Sequence, residues 1–335
     1  MKRAVLFLII AITSQHAFSG GLKEIPKIQG QIYAEPFFGF KGNWKQPQYR
    51  ESFLFNYNRH NEVSLNLALV KITLDHSKYR GALGFHTGTY VRDNYISEPL
   101  PMQFIHEARA GIALFGSKKL WLDMGIMNSF LGFESPIGME NPTLTRSLTA
   151  ENSPYYLSGA RLAWEDSTFS FAIHYLNGWQ RIQRPPDNNQ AAVGTEVKWT
   201  PTAKVTFAWN TYAGSERVAN TLRRRYFNNL YWKQDLGSKW KLILGLDAGI
   251  QETADKQAWD DWWNITLIVQ YIGHKKYRFA YRAEYFQDSA NVVSIDQFPS
   301  FMMEAFGTSL NMDYLIHDKA MLRGEYRYLH RLNKA

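Results

Sequence analysis

Hydrophobic and polar positions alternate along most of this chain with a period of two. Leu242, Leu244, Leu246 and Ala248 alternate with Lys241, Gly245, Asp247 and Gly249. Tyr277, Phe279, Tyr281 and Tyr285 alternate with Lys276, Arg278, Arg282 and Glu284, and Leu322, Tyr326 and Tyr328 with Arg323, Glu325 and Arg327. Successive side chains of a strand point to opposite faces, so each segment reads as a strand with one apolar and one polar face. Fifteen such segments are legible, at 28–40, from Val63 to a turn near 75–78, and at 79–91, 102–115, 119–128, 155–165, 168–178, 191–199, 203–213, 224–236, 238–250, 260–272, 275–287, 303–313 and 318–329.

Short turns alternate with long polar connections between them. Gly116-Ser-Lys118, Glu165-Asp-Ser167, Thr200-Pro-Thr202, Gly237 and Gly273-His274 are tight, whereas 92–101, 179–190, 214–223, 251–259 and 288–302 are long. Short turns at one rim and long loops at the other describe an up-and-down meander. The expected fold class is all-β, a transmembrane up-and-down antiparallel β-barrel with the apolar parity toward lipid and the charged parity toward a watery lumen. An even strand number is the rule for such barrels, so the expectation is 16 strands in the complete protein with about 15 readable here and the C-terminal strand missing. A soluble sandwich shows the same alternation, but not so many long strands behind an export signal.

That signal is Met1-Lys2-Arg3, then the apolar run Ala4 to Ile12, then Ala17-Phe18-Ser19 before Gly20. It reads as a cleaved signal peptide over 1–19, leaving 20–335 as a single barrel domain. Removal of Lys2 and Arg3 takes the formal net charge from +8 to +6. A mean hydropathy of −0.36 is compatible with a membrane barrel, because only alternate residues face lipid. The implied location is the outer membrane of a Gram-negative bacterium. Trp164, Trp199, Trp240 and Tyr277 lie on the apolar parity beside short turns, as an interfacial girdle requires.

The segment 130–154 interrupts the pattern. It is long, polar and rich in Gly and Pro, and loops of this length without periodic structure usually have a function. Folded into the lumen, it would set the bore of a pore, with Gly132, Gly138, Pro136 and Pro142 shaping its bends. Its charges Glu134, Glu140, Glu151 and Arg146 would then face wall charges on the inner parity: Arg161, Glu196, Arg278, Arg282, Glu284, Arg323, Glu325 and Arg327. Charges along a narrow aqueous channel alter the energy of a passing ion. These residues are the pore-lining and constriction candidates, and the arginines imply a mild anion preference. Ion pairing across the wall is the plainer role for the same residues.

Catalytic and metal chemistry has little support. The absence of cysteine removes thiolate sites. His174 is inward by parity but has no nucleophile or orienting carboxylate assigned to it, and the Asp260-Asp261 pair points to opposite faces. No catalytic, cofactor-binding or metal-binding residue is therefore named. The Arg223-Arg-Arg225 run reads as solvated or bound to anionic head groups rather than to nucleic acid.

Gly132-Phe-Glu134, Glu140-Asn141 with Thr145-Arg146-Ser147, Ser153-Pro154-Tyr155 with Gly159, Asn177-Gly178-Trp179 with Asp187-Asn188-Asn189, and Glu325-Tyr326-Arg327 occur in an order that resembles the OmpL-like outer-membrane porins of the β-barrel porin-2 family. The resemblance covers nearly all of 25–335. It implies a porin allowing passive diffusion of ions and small hydrophilic solutes, without cofactor or catalytic residues. The expected partners are lipid and lipopolysaccharide of the outer membrane, the permeating solutes or ions and the outer-membrane assembly machinery, with no nucleic acid, and with the choice between monomer and homo-oligomer left open. A terminal aromatic residue is usual in that family, and Asn333-Lys-Ala335 lacks one. The alternatives to diffusion are a non-conducting structural or adhesion barrel and, less favoured, an outer-membrane lipase or protease.

Overall fold

A computed structural model describes residues 25–42, 53–218, 221–294 and 303–332. The signal-peptide expectation for 1–19 lies outside these residues. The strands are β1 (Lys27–Phe38), β2 (Val63–Asp75), β3 (Tyr79–Thr87), β4 (Ile105–Ala113), β5 (Leu120–Asn128), β6 (Tyr156–Glu165), β7 (Phe169–Leu176) and β8 (Ala192–Thr202). They continue as β9 (Val205–Val218), β10 (Thr221–Leu236), β11 (Trp240–Glu252), β12 (Trp259–Tyr271), β13 (Tyr277–Asp288), β14 (Met303–His317) and β15 (Ala320–Arg331). All join one sheet in chain order, and each neighbouring pair is antiparallel.

Alternation placed these strands well but misjudged some ends. The connection expected at 214–223 is strand, because β9 and β10 pair from Val218 and Thr221 onward. The segment read as strand to 91 stops at Thr87, and two short helices follow, α1 (Thr89–Asn94) and α2 (Leu100–Gln103). Pro99 and Pro101 end any extended run there, with Pro101 in the first turn of α2 where its missing N–H costs nothing.

The closed sixteen-stranded barrel is not what forms. β1 pairs with β2 and β15 with β14, but β1 and β15 do not pair with each other. In a meander of fifteen strands the first and last run the same way, so a ladder between them would have to be parallel, unlike every other in the sheet, and none forms among the described residues. The expectation of membrane-spanning strands sealed around an ion channel falls with closure, since a lipid-embedded barrel needs every ladder paired. Laid flat, fourteen strand spacings of about 4.8 Å would part the edges by roughly 67 Å. Yet both edges reach Gly138, whose N–H donates to Glu35 Oε2 on β1 at 3.2 Å and whose carbonyl accepts from Arg323 Nη1 on β15 at 2.8 Å. The open sheet therefore wraps around 130–154.

The faces follow parity. Along β11, Leu246, Ala248 and Ile250 are exposed, while Gly245, Asp247 and Gly249 are buried. The outward face is apolar and carries aromatic pairs near the short turns: Trp199 with Phe207 at 5.6 Å, Trp240 with Tyr271 at 4.9 Å and Tyr277 with Tyr314 at 5.4 Å between ring centres. Trp164, the remaining girdle residue, is 38% exposed beside Phe169.

The core lies inside the sheet, and 130–154 contributes to each of its clusters. Leu131 packs with Leu157, Leu176, Tyr212, Phe227 and Trp262. Phe133 packs with Ile243, Ile268 and Ala280, Ile137 joins the group of Leu67, Tyr90, Tyr95 and Tyr156, and Leu148 packs with Phe53, Leu54, Phe286 and Met303. Each such side chain stabilises the fold by about 1.5–3 kcal/mol on full burial.

Candidate functional site

The segment has local structure that its composition concealed. A 3-10 turn runs over Gly138–Glu140, and α3 over Leu148–Glu151. Ser147 caps α3, its side chain accepting from Ala150 N at 3.2 Å, and Glu134 accepts from Ser147 N at 2.9 Å. A serine cap satisfies one of the first-turn N–H groups that the helix leaves free. Gly132 sits at φ 105°, where a side chain would be strained. Gly138 is needed for space instead: a Cβ there would lie 2.3 Å from Tyr57 Oη and 2.5 Å from Glu35 Oε2.

Five of the sequence candidates converge on the segment from β13 and β15. Arg282 donates to Thr145 O at 2.6 Å, to Thr143 Oγ1 at 3.1 Å and to Glu325 at 2.9 Å. Arg323 donates to Thr143 O at 3.0 Å and pairs with Asp313 at 2.6 Å. Arg327 donates to Arg146 O at 3.0 Å and to Glu284 at 2.6 Å. In return Glu325 accepts from Thr145 N at 2.6 Å, and Glu284 from Leu148 N at 2.7 Å. All five side chains are buried. Charges removed from water hold their charge only when paired and fully hydrogen-bonded, and backbone groups of the segment supply those bonds. Asp313 completes the set and was missed, although it shares the inner parity of β14 with Asn311 and Ser309.

Arg161 and Glu196 belong to a separate cluster on β3 to β8, 3.3 Å apart. Arg161 also bonds Glu165 at 2.6 Å, and Arg80 is bound by both Asp123 at 2.5 Å and Glu165 at 2.7 Å. Arg109 reaches Glu107 at 2.6 Å, and Lys71 pairs with Glu107. His174 stacks on Phe130 with centroids 3.9 Å apart, its Nε2 3.4 Å from Glu196. Apart from Arg161, Glu196 and His174, none of these residues was singled out; register explains why. Arg80, Gly111, Asp123 and Arg161 are successive cross-strand partners, which no single strand reveals.

Glu140 and Arg278 join neither cluster. Glu140 is exposed, and both border a cavity of about 240 Å³ with Lys233 and Lys241. Glu134 and Glu151 of the segment act on wall Arg282 through space, whereas Glu140 points away from it. Glu134 is turned onto Ser147, and Glu151 accepts from Phe55 N at 2.7 Å and Tyr155 Oη at 2.8 Å. Arg146 lies over the Tyr155 ring at 4.2 Å, with Nη2 3.4 Å from Glu134 O.

Burial raises the Glu151 carboxyl above its usual pKa of 4.5, while the Phe55 N–H, Arg146 and the Tyr155 hydroxyl pull it back. The folded state thus holds this proton more tightly than the unfolded chain. Its contribution to stability is present below the unfolded pKa and is lost as pH rises through the folded value. Urea midpoints in detergent should therefore fall with rising pH above 4.5 more for the wild type than for Glu151→Gln. Parallel curves would show that Glu151 carries no such linkage.

Phe133 meets β11 at Gly245, where an added Cβ would lie 2.2 Å from the ring. Gly245→Val should lift the ring from its seat and cost about 2–4 kcal/mol, combining overpacking with lost aromatic burial. A midpoint unchanged from the wild type would contradict this docking.

Comparisons with known proteins agree with the architecture. The family described as "Putative beta-barrel porin-2, OmpL-like" matches residues 27–335. Among solved structures, the trimer form of OmpT from Vibrio cholerae is 13% identical, with 92% of this chain and 89% of that chain covered and a TM-score of 0.58. OmpF of Salmonella typhi in complex with daunomycin is 12% identical over 91% and 92%, TM-score 0.57. The outer-membrane channel DcaP of Acinetobacter baumannii is 9% identical over 94% and 93%, TM-score 0.57. At such identities the likeness is one of fold alone. No curated protein sequence matches the chain. With an apolar outer face and a family match spanning every strand, this is an outer-membrane protein, and it belongs to the β-barrel porin-2, OmpL-like family.

Proposed function

We propose that the chain is a non-conducting structural protein of the outer membrane, its interior occupied by 130–154. Passive diffusion, the function expected from the sequence, is set aside because β1 and β15 leave the sheet open where a pore needs a sealed wall. The observation that carries the structural reading is the use made of the inward arginines. Arg282, Arg323 and Arg327 donate to backbone carbonyls of the segment at 2.6–3.0 Å. Hydrated ions need charges that water can reach, and these side chains are buried. Because each guanidinium is bonded both to the segment and to a wall carboxylate, moving the segment would strip several buried ionic hydrogen bonds together. The role is non-catalytic, its partners are outer-membrane lipid and neighbouring envelope components, and self-association through the apolar outer face is compatible with it.

Liposome swelling in arabinose tests this. Wild-type protein should give no swelling above empty liposomes. Wild-type swelling at the rate of an open porin would overturn the proposal.

A further inference from the structure

A cavity of about 640 Å³ lies at the long-connection end, bordered by Asn152, Tyr155, Trp179, Arg181, Glu216 and Arg225. Its size is that of a small-molecule site. Most charges around it are engaged. Asp93 is held by Arg59 at 2.8 Å, Arg217 by Asp187 at 2.9 Å, and Glu151 by the bonds already described. Glu216 accepts from Trp179 N at 3.1 Å and from the Tyr212 hydroxyl.

Two guanidinium groups make no direct ion pair among the described residues, although Glu216 lines the same cavity. Arg225 uses Nε and Nη2 on Gln251 at 3.0 and 2.6 Å, and lies over the Trp179 and Trp262 rings at 5.0 and 5.6 Å. It makes no ion pair among the described residues; burial disfavours its charge, Glu216 and Asp288 attract it through space, and Arg181 repels it. Arg181 has neither ion pair nor hydrogen bond among the described residues, and its Nε is buried without a partner. A third polar atom is unmet: Asn152 is 5% exposed, its Nδ2 bonds Leu148 O at 2.7 Å, and its buried Oδ1 has no donor. Unpaired buried polar groups are costly, and a ligand oxyanion relieves both the unmet donors and the repulsion. Trp179 offers an aromatic surface for the remainder of such a ligand.

We infer that this cavity binds a small organic anion, with its carboxylate or phosphate on Arg181 and Arg225 and its ring or carbon skeleton against Trp179. Asn152 Oδ1 accepts from a hydroxyl or N–H of the same molecule. The inference does not depend on whether the protein conducts.

Calorimetry on the full chain, folded in detergent, tests it with benzoate, glucuronate, glucose 6-phosphate and inorganic phosphate, and with benzamide and glucose as neutral counterparts. At least one organic anion should bind with Kd below about 10 mM and roughly tenfold or more tighter than its neutral counterpart. Arg181→Gln, at a position with no partner to lose, should keep the folded gel mobility and weaken that binding roughly 10- to 100-fold. Salt raised from about 50 to about 500 mM should weaken it further. Absence of binding by all three organic anions, equal binding of the neutral counterpart, or unchanged affinity in Arg181→Gln would overturn the inference. Inorganic phosphate binding as tightly as the best organic anion would overturn the assignment of the organic body to Trp179.

Discussion

Replacing Arg282 by methionine should destabilise the protein by about 3–5 kcal/mol, the cost of breaking a buried ion pair by removing one partner. Arg282 is fully buried, 2.9 Å from Glu325 and 3.4 Å from Glu284. Without it Glu325 loses its closest cation in a dry site, Glu284 is left to Arg327, and three oxygens of the segment, Thr145 O, Thr145 Oγ1 and Thr143 Oγ1, lose a donor. Urea midpoints in detergent, read from the folded gel mobility, check the number. Arg282→Met combined with Glu325→Gln should recover part of the loss, since the second change removes the stranded charge. A single-variant loss below about 1 kcal/mol would mean that water reaches the site and that the segment does not seal it.

Asp123→Asn should cost about 3 kcal/mol for a related reason. Asp123 lies 2.5 Å from Arg80, 3.4 Å from Arg161 and 3.5 Å from Arg109. Lys71, Arg80, Arg109 and Arg161 face Glu107, Asp123, Glu165 and Glu196, so the cluster is balanced until one member is neutralised. Gly111 lets the pair close, because a Cβ there would lie 2.2 Å from Asp123 Oδ1. In a double-mutant cycle, Arg80→Gln should couple to Asp123→Asn by more than about 1 kcal/mol. Additive losses would show that the two act through separate partners.

Period-two alternation made the strands and their faces legible because the physical cause is local: Leu246 and Asp247 differ in face by one residue of pleat. The short turns were legible for the same reason. What alternation could not reach was closure. Whether the first and last edges pair depends on contacts between strands far apart in the chain, and among the described residues β1 and β15 form no ladder.

At the site, parity found Arg282, Glu284, Arg323, Glu325 and Arg327 because each opposes an apolar neighbour on its own strand. It could not find that they bond the segment rather than water, since Thr143, Thr145 and Arg146 offer them uncharged backbone and hydroxyl oxygens. Glu134 and Glu140 have different surroundings, which parity does not distinguish. Their charge drew notice, but Glu134 is turned onto the Ser147 cap and Glu140 outward. The residues that fix the segment in the core are Leu131, Phe133, Ile137 and Leu148, dispersed in a polar stretch with no period to mark them.

Single-channel recording in a planar bilayer tests the central claim most directly, with wild-type protein whose folded gel mobility has been verified. A filled interior predicts a flat trace at moderate voltage, without discrete steps, under symmetric salt. Stable, uniform conductance steps from the wild-type protein would contradict it, because they would require an open ion path through an interior that the segment fills.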